Sequence, residues 1–325
     1  MFNSRYIRVL HNGKRSYAKF PNLKNGIYIF CIALLVRVIY ISFFVESSYL
    51  FSEDQTLYIQ LANQFPSSGF LGVTPKRVPG YPLFVSTIFT IFDKDLWNVI
   101  LIQALLDSIS CVIIALMAKS IFGKGFWIAG ILSVANLNMI ILSSTLLTDT
   151  LFLFLFILFL FSLLQYLKSE HIAWFFLLVL FISLATLVRS VSYYLLPILL
   201  IWLLGWRLWK KDSILKICAL AISYVFIVGV LLGSIHQRNY QQYGSTAFIT
   251  QTGGAVLGWV VPATYQYSGM GSYQDGQKLV KKRLDLALQK DHLLELPSNP
   301  FESSAYRANV GKEILLEFGF INIIK

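Results

Sequence analysis

Long apolar runs, broken by short polar or basic turns, organise most of this chain. A helix that crosses a bilayer needs about 20 apolar residues. Runs of that kind fall near residues 27–45, 98–120, 125–144, 149–168, 172–188, 191–206 and 213–234, the fifth and sixth being short. The apolar stretch 79–92 is too short to cross and opens with Pro79-Gly80-Tyr81-Pro82, which predicts a juxtamembrane or re-entrant helix. Beyond residue 235 the chain turns polar and tyrosine-rich, and 272–296 and 303–320 keep helical periodicity. The pattern predicts an all-α fold, a polytopic membrane helical bundle of about seven spans with juxtamembrane helices in its first large loop. Three segments follow: a basic tail over 1–26, the bundle over 27–234 with the loop 46–97 inside it, and a C-terminal segment over 235–325.

Composition agrees. Apolar residues make up 56% of the chain and charged residues 13%, against roughly 25% charged in soluble domains. The net charge of +11 invites a nucleic-acid partner. Its distribution argues otherwise, because the basic residues sit in the N-terminal tail and in short loops, as the positive-inside rule expects. Arg5, Arg8, Lys14, Arg15, Lys19 and Lys24 place the N-terminus in the cytoplasm. With seven spans, the loops carrying Lys119 and Lys124, Lys168, and Arg207, Lys210 and Lys211 fall on the same side. The loop 46–97, the turns near 144–149 and Arg189, and everything after about 235 then face the extracytoplasmic side. The basic stretch before the first run is too long for a cleaved signal peptide, so that run reads as an uncleaved helix. Cys31, Cys111 and Cys218 lie in separate apolar runs as packing residues. The four histidines show no ligand spacing.

The polar residues with chemical promise gather at one set of loops. Glu53 and Asp54 follow the first run, and Lys76 and Arg77 precede the Pro-Gly-Tyr-Pro turn. Asp149 lies in Leu146-Leu147-Thr148-Asp149-Thr150-Leu151-Phe152, Arg189 follows the fifth run, and Arg238-Asn239-Tyr240 follows the seventh. Carboxylates and cations at a membrane surface suit transfer of a group from a lipid-linked phosphate to an acceptor. Plainer readings stand beside this one. Asp54 serves equally as a loop acid capping a helix that starts near Gln55. Asp149 serves as a helix N-terminal charge worth about 0.3–1 kcal/mol, and Arg77 and Arg238 as anchors to anionic headgroups. Gly253, Gly254, Gly258, Tyr265 and Tyr267 suit a sugar or acceptor cleft, but aromatic residues at this depth also form interfacial belts.

Taken in order, these motifs resemble the GT-C glycosyltransferases, and within them the protein O-mannosyltransferase and aminoarabinose transferase branch, family 39 or PMT-like. The resemblance covers roughly residues 27–260. It implies an enzyme that moves a sugar from a polyprenyl-phosphate donor to a protein, lipid or glycan hydroxyl on the extracytoplasmic face. On this resemblance Asp54, with Glu53, is the catalytic carboxylate and Asp149 a second active-site acid. Lys76, Arg77, Arg189 and Arg238 hold the carrier phosphate, the Arg189 match being weakened because Ser190 replaces the family's usual proline. Tyr58, Tyr81, Asn239 and Tyr240 line the acceptor or sugar cleft. A divalent ion held by Asp54 and Asp149 is left open, since some relatives work without metal. The family usually continues through further membrane helices, so the chain reads as the N-terminal catalytic half of the pattern, truncated or a short variant. The rival function is a membrane protein that binds or transports the polyprenyl lipid without catalysis. A transporter would place its polar residues near the bilayer midplane at broken helices.

Two charges lie deep in the apolar runs. Arg37 and Asp107 each sit about 12–14 Å below the outer end of their helices at 1.5 Å per residue. An unpaired charge there costs at least about 2.5–3.5 kcal/mol, so the two are expected to pair.

Overall fold

The computed structural model describes residues 23–46, 53–68 and 74–319, so the tail residues Arg5 to Lys19 lie outside the described residues. The fold is all helical among the described residues. In chain order the helices are α1 (Leu23–Phe44), α2 (Glu53–Ser68), α3 (Gly80–Ile91), α4 (Leu96–Phe122), α5 (Phe126–Val134), α6 (Leu137–Ser143), α7 (Asp149–Ser169), α8 (Ile172–Val188), α9 (Leu195–Trp209) and α10 (Ile214–Tyr243). Then come α11 (Gln251–Ala255), a π-helical turn over Val256–Val260, α12 (Val261–Tyr267), α13 (Tyr273–Lys290) and α14 (Pro300–Phe318).

Among the described residues five helices are long and apolar enough to cross a membrane, and a sixth span is added if α5 and α6 count as one. The chain is a polytopic helical membrane protein. The seven expected runs differ from this in two places. The run 125–144 breaks between Val134 and Leu137 with a bend of 53°. Asn136 lies at the break, and its side-chain oxygen accepts the Met139 N–H at 3.1 Å, which starts a new helix where the apolar pattern gave no stop signal. The run 172–188 forms α8, only 17 residues long. The stretch 79–92 forms the short helix α3, as its length predicts.

The chain divides into two compact units, Met1–Val45 with Leu101–Ser144, and Glu46–Ile100 with Thr145–Lys325. In the first unit Arg37 and Asp107 pair, with Nε donating to Oδ2 at 2.6 Å, and the two side chains are 0% and 2% exposed. The same guanidinium donates to the carbonyls of Ala33 and Val134, at 3.2 and 3.3 Å, and to Cys111 Sγ. Val134 closes α5, so the deep cation also satisfies a carbonyl freed by the helix break. Gly130 of α5 lies where a Cβ would overlap Ile29 of α1.

In the second unit α7 and α8 form a tight antiparallel pair. Glu170 takes a positive φ of 53° at the turn, and His171 caps α8 by accepting the Ala173 N–H. Leu178, Val179 and Ile182 are fully buried along α8, against residues that include Phe159, Leu203, Leu232 and Ile235. At the turn end Arg207 is buried and donates to the Tyr166 hydroxyl and to Glu170. The C-terminal helices have their own apolar centre of Leu257, Val261, Val310 and Ile314. α13 begins at a capping box of Ser272 and Asp275, and α14 at Asn299 followed by Pro300. These lie close to the two helices expected at 272–296 and 303–320.

Candidate active site

The short segment 74–79 and the turns that close α8 and α10 bring the polar residues of the second unit together. α2 starts at Glu53, so Asp54 sits in the first turn of the helix rather than at a cap beyond it. A carboxylate in that position is favoured by the helix dipole. The Glu53 side chain lies outside the described residues. Arg77, in the turn before α3, donates through Nη2 to Asp54 Oδ1. The arginine side chain is 19% exposed and the carboxylate 58% exposed, so Asp54 remains open to a further partner. Gly80 lets α3 approach closely, since a Cβ there would lie 2.5 Å from the Leu187 carbonyl of α8.

A second pair repeats the arrangement. Asp149 opens α7, and Arg189 stands in extended backbone immediately after α8. Arg189 Nη1 donates to Asp149 Oδ1. Ser190 begins a 3-10 turn here, held where the Ser192 hydroxyl donates to the Arg189 carbonyl at 3.0 Å. The turn therefore forms with serine in place of the expected proline.

Tyr58 links the two pairs. It is buried, lies edge-on to the fully buried Tyr81 at 5.0 Å, and has the Arg77 guanidinium 5.6 Å from its ring centre. Burial pushes the Tyr58 phenol above its usual pKa. Arg77 and Arg189 oppose that rise, and Asp54 and Asp149 add to it. All four charges thus act on one phenol. Burial also raises Tyr81, with Tyr58 and Asp149 contributing.

Arg238 and Asn239 lie near the C-terminal end of α10 in the same unit. Arg238 is buried, and its guanidinium donates to Asn239 Oδ1 at 2.8 and 3.0 Å. Asn239 is fully buried and donates to the carbonyls of Ala247 and Phe248. Together they shape the segment after α10, which Gly244 opens with a φ of 68°. Tyr240, one position on, is exposed.

Beside Arg77 lies a cavity of about 670 Å³. Among the described residues its walls include Lys76, Arg77, Thr250, Trp259, Ser304 and Arg307, and contain no Asp or Glu. Arg307 was not singled out in the sequence, because it lies in an ordinary amphipathic helix with no motif around it. Neither Arg238 nor Asp54 lines this cavity. Among the described residues no three His, Cys, Asp or Glu side chains gather closely enough to hold a metal ion, and Asp54 and Asp149 each face an arginine.

Residues 75–232 match the model of the dolichyl-phosphate-mannose-protein mannosyltransferase family. Over that stretch, just under half of its length, the chain is similar to this family of membrane glycosyltransferases, which draw on polyprenyl-phosphate sugar donors. The match begins just before Lys76 and Arg77 and takes in Asp149 and Arg189, while Asp54, Arg238 and Arg307 lie outside it. No curated protein matches the chain.

Proposed function

We propose that this PMT-like chain moves a sugar from a polyprenyl-phosphate donor to an acceptor hydroxyl on the extracytoplasmic face, with the reaction centred between the two carboxylate–arginine pairs. The acceptor oxygen attacks the anomeric carbon, and the bond from that carbon to the carrier phosphate breaks. The phosphate leaves with the electron pair, and the hydroxyl proton passes to Asp54. Such a base contributes typically about 10²–10⁴-fold.

The observation that supports this reading is the pair of carboxylate–arginine contacts in one unit, Asp54 with Arg77 and Asp149 with Arg189. Arg77 and Arg189 bring two fixed cations to the place where phosphate charge develops, and fixed dipoles and charges of this kind lower the barrier without reorganising. A guanidinium also offers a planar fork that matches phosphate oxygens. Asp149 holds Arg189 in position. Arg238, buried and bonded to Asn239, also braces the segment that supports the Arg77 loop.

Binding of a synthetic polyprenyl phosphate to the purified chain in detergent tests the assignment. Arg77→Gln and Arg189→Gln should each weaken binding by about 1.5–3 kcal/mol, the scale of a charged hydrogen bond. Unchanged affinity in both variants would defeat it.

A further inference from the structure

We propose that the cavity between the 74–77 turn and the C-terminal helices seats the acceptor, and that the acceptor carries an oxyanion, a phosphate or carboxylate, on a sugar. The assignment to an acceptor rests on the transferase reading, whereas the anion site itself does not.

The cavity wall is cationic. Lys76, Arg77 and Arg307 line it, with no carboxylate in the lining among the described residues. Arg77 shares its charge with Asp54, but Lys76 and Arg307 make no ion pair among the described residues. Three buried side-chain atoms of its lining lack a hydrogen-bond partner among the described residues: Arg77 Nε, Thr250 Oγ1 and Arg307 Nε. Buried polar groups are nearly always partnered, so three orphans around one cavity point to an occupant that accepts hydrogen bonds. The volume of about 670 Å³ falls in the range of small-molecule sites, about 300–1,000 Å³. Ser304 adds a hydroxyl, and Trp259, 72% exposed, offers a flat apolar face of the kind that packs on a pyranose ring.

An acceptor fits this cavity better than the carrier lipid does. None of its lining residues comes from a helix long and apolar enough to cross a membrane. A polyprenyl tail would have to leave the apolar helices to bring its phosphate here. Arg77 joins the two sites, since it both lines the cavity and holds Asp54. An anion gripped by Lys76 and Arg307 would place a neighbouring sugar hydroxyl on the Asp54 side.

The test uses the full chain in detergent, with labelled glucose 6-phosphate, the neutral methyl glucoside and polyprenyl phosphate as separate probes in equilibrium dialysis. Glucose 6-phosphate should bind at least tenfold more tightly than the methyl glucoside. Arg307→Gln should weaken it at least tenfold, Arg307→Lys less, and Lys76→Gln should also weaken it. Polyprenyl phosphate binding should change less than twofold in Arg307→Gln. Unchanged glucose 6-phosphate binding in Arg307→Gln overturns the proposal. If that variant fails to fold, the exposed Lys76→Gln decides alone, and unchanged binding there overturns it. An equal loss for polyprenyl phosphate assigns the cavity to the carrier and overturns the acceptor claim. Arg307-dependent glucose 6-phosphate binding in a wild-type chain that transfers no sugar removes the transferase reading, and the acceptor role with it, but upholds the anion site.

Discussion

The Thr250 N–H donates to the Pro75 carbonyl at 3.0 Å, tying the segment after α10 to the turn that carries Lys76 and Arg77. That segment is in turn held from α10. Asn239 donates to the carbonyls of Ala247 and Phe248, and His236 Nδ1 donates to the Thr246 carbonyl at 2.8 Å. The cations before α3 are therefore positioned by residues far along the chain.

Asn239→Ala removes the donors to the Ala247 and Phe248 carbonyls, the second of them buried. It should destabilise the chain by about 1–3 kcal/mol, the cost of leaving buried groups unpaired. Because the Arg77 turn loses its support, it should also weaken polyprenyl phosphate binding. Thermal unfolding in detergent, read beside that binding, checks both. A variant with wild-type stability and affinity would show that the segment does not hold the Arg77 turn.

Arg37 and Asp107 give a second expectation. Removing one partner of a buried pair leaves an uncompensated charge, typically at a cost of about 3–5 kcal/mol. Arg37→Ala and Asp107→Ala should each reduce the folded fraction on size-exclusion chromatography. The double variant Arg37→Met/Asp107→Leu should recover part of the loss. Strict additivity of the two single effects would mean that the pair is not coupled.

The contact of α11 with α14 is testable through neighbouring glycines. A Cβ on Gly253 would overlap the Ser304 carbonyl, which is backbone and cannot swing aside. Gly254 has nothing within 4 Å of that position. Gly253→Ala should destabilise the chain by at least about 1–3 kcal/mol, the scale of overpacking, whereas Gly254→Ala should leave thermal stability near wild type. Equal midpoints for the two variants would contradict the close approach.

Much of the fold could be read from the apolar pattern, because a bilayer demands long apolar helices and nothing else in the chain resembles them. The deep pair could be read too, since equal depth for Arg37 and Asp107 follows from helix rise alone. The break at Asn136 could not, because an asparagine inside an apolar run tells its two roles, cap and tolerated interruption, apart only after folding. Asp54 and Arg77 lie 23 residues apart and Asp149 and Arg189 lie 40 apart, so motifs marked them while their pairing depended on how the helices pack. Arg238 sits in a suggestive motif, yet burial and Asn239 determine what its guanidinium touches. Arg307 had no local signal at all, and its place beside Arg77 comes from the crossing of α11 and α14.

The most direct measurement is sugar transfer from a synthetic polyprenyl-phosphate sugar by the purified chain and by Asp54→Asn, with carrier binding measured in parallel. The substitution keeps the shape of the side chain and removes the base. Transfer should fall by about 10²–10⁴-fold while polyprenyl phosphate still binds. Near-normal transfer by Asp54→Asn would contradict the central claim that this carboxylate takes the acceptor proton.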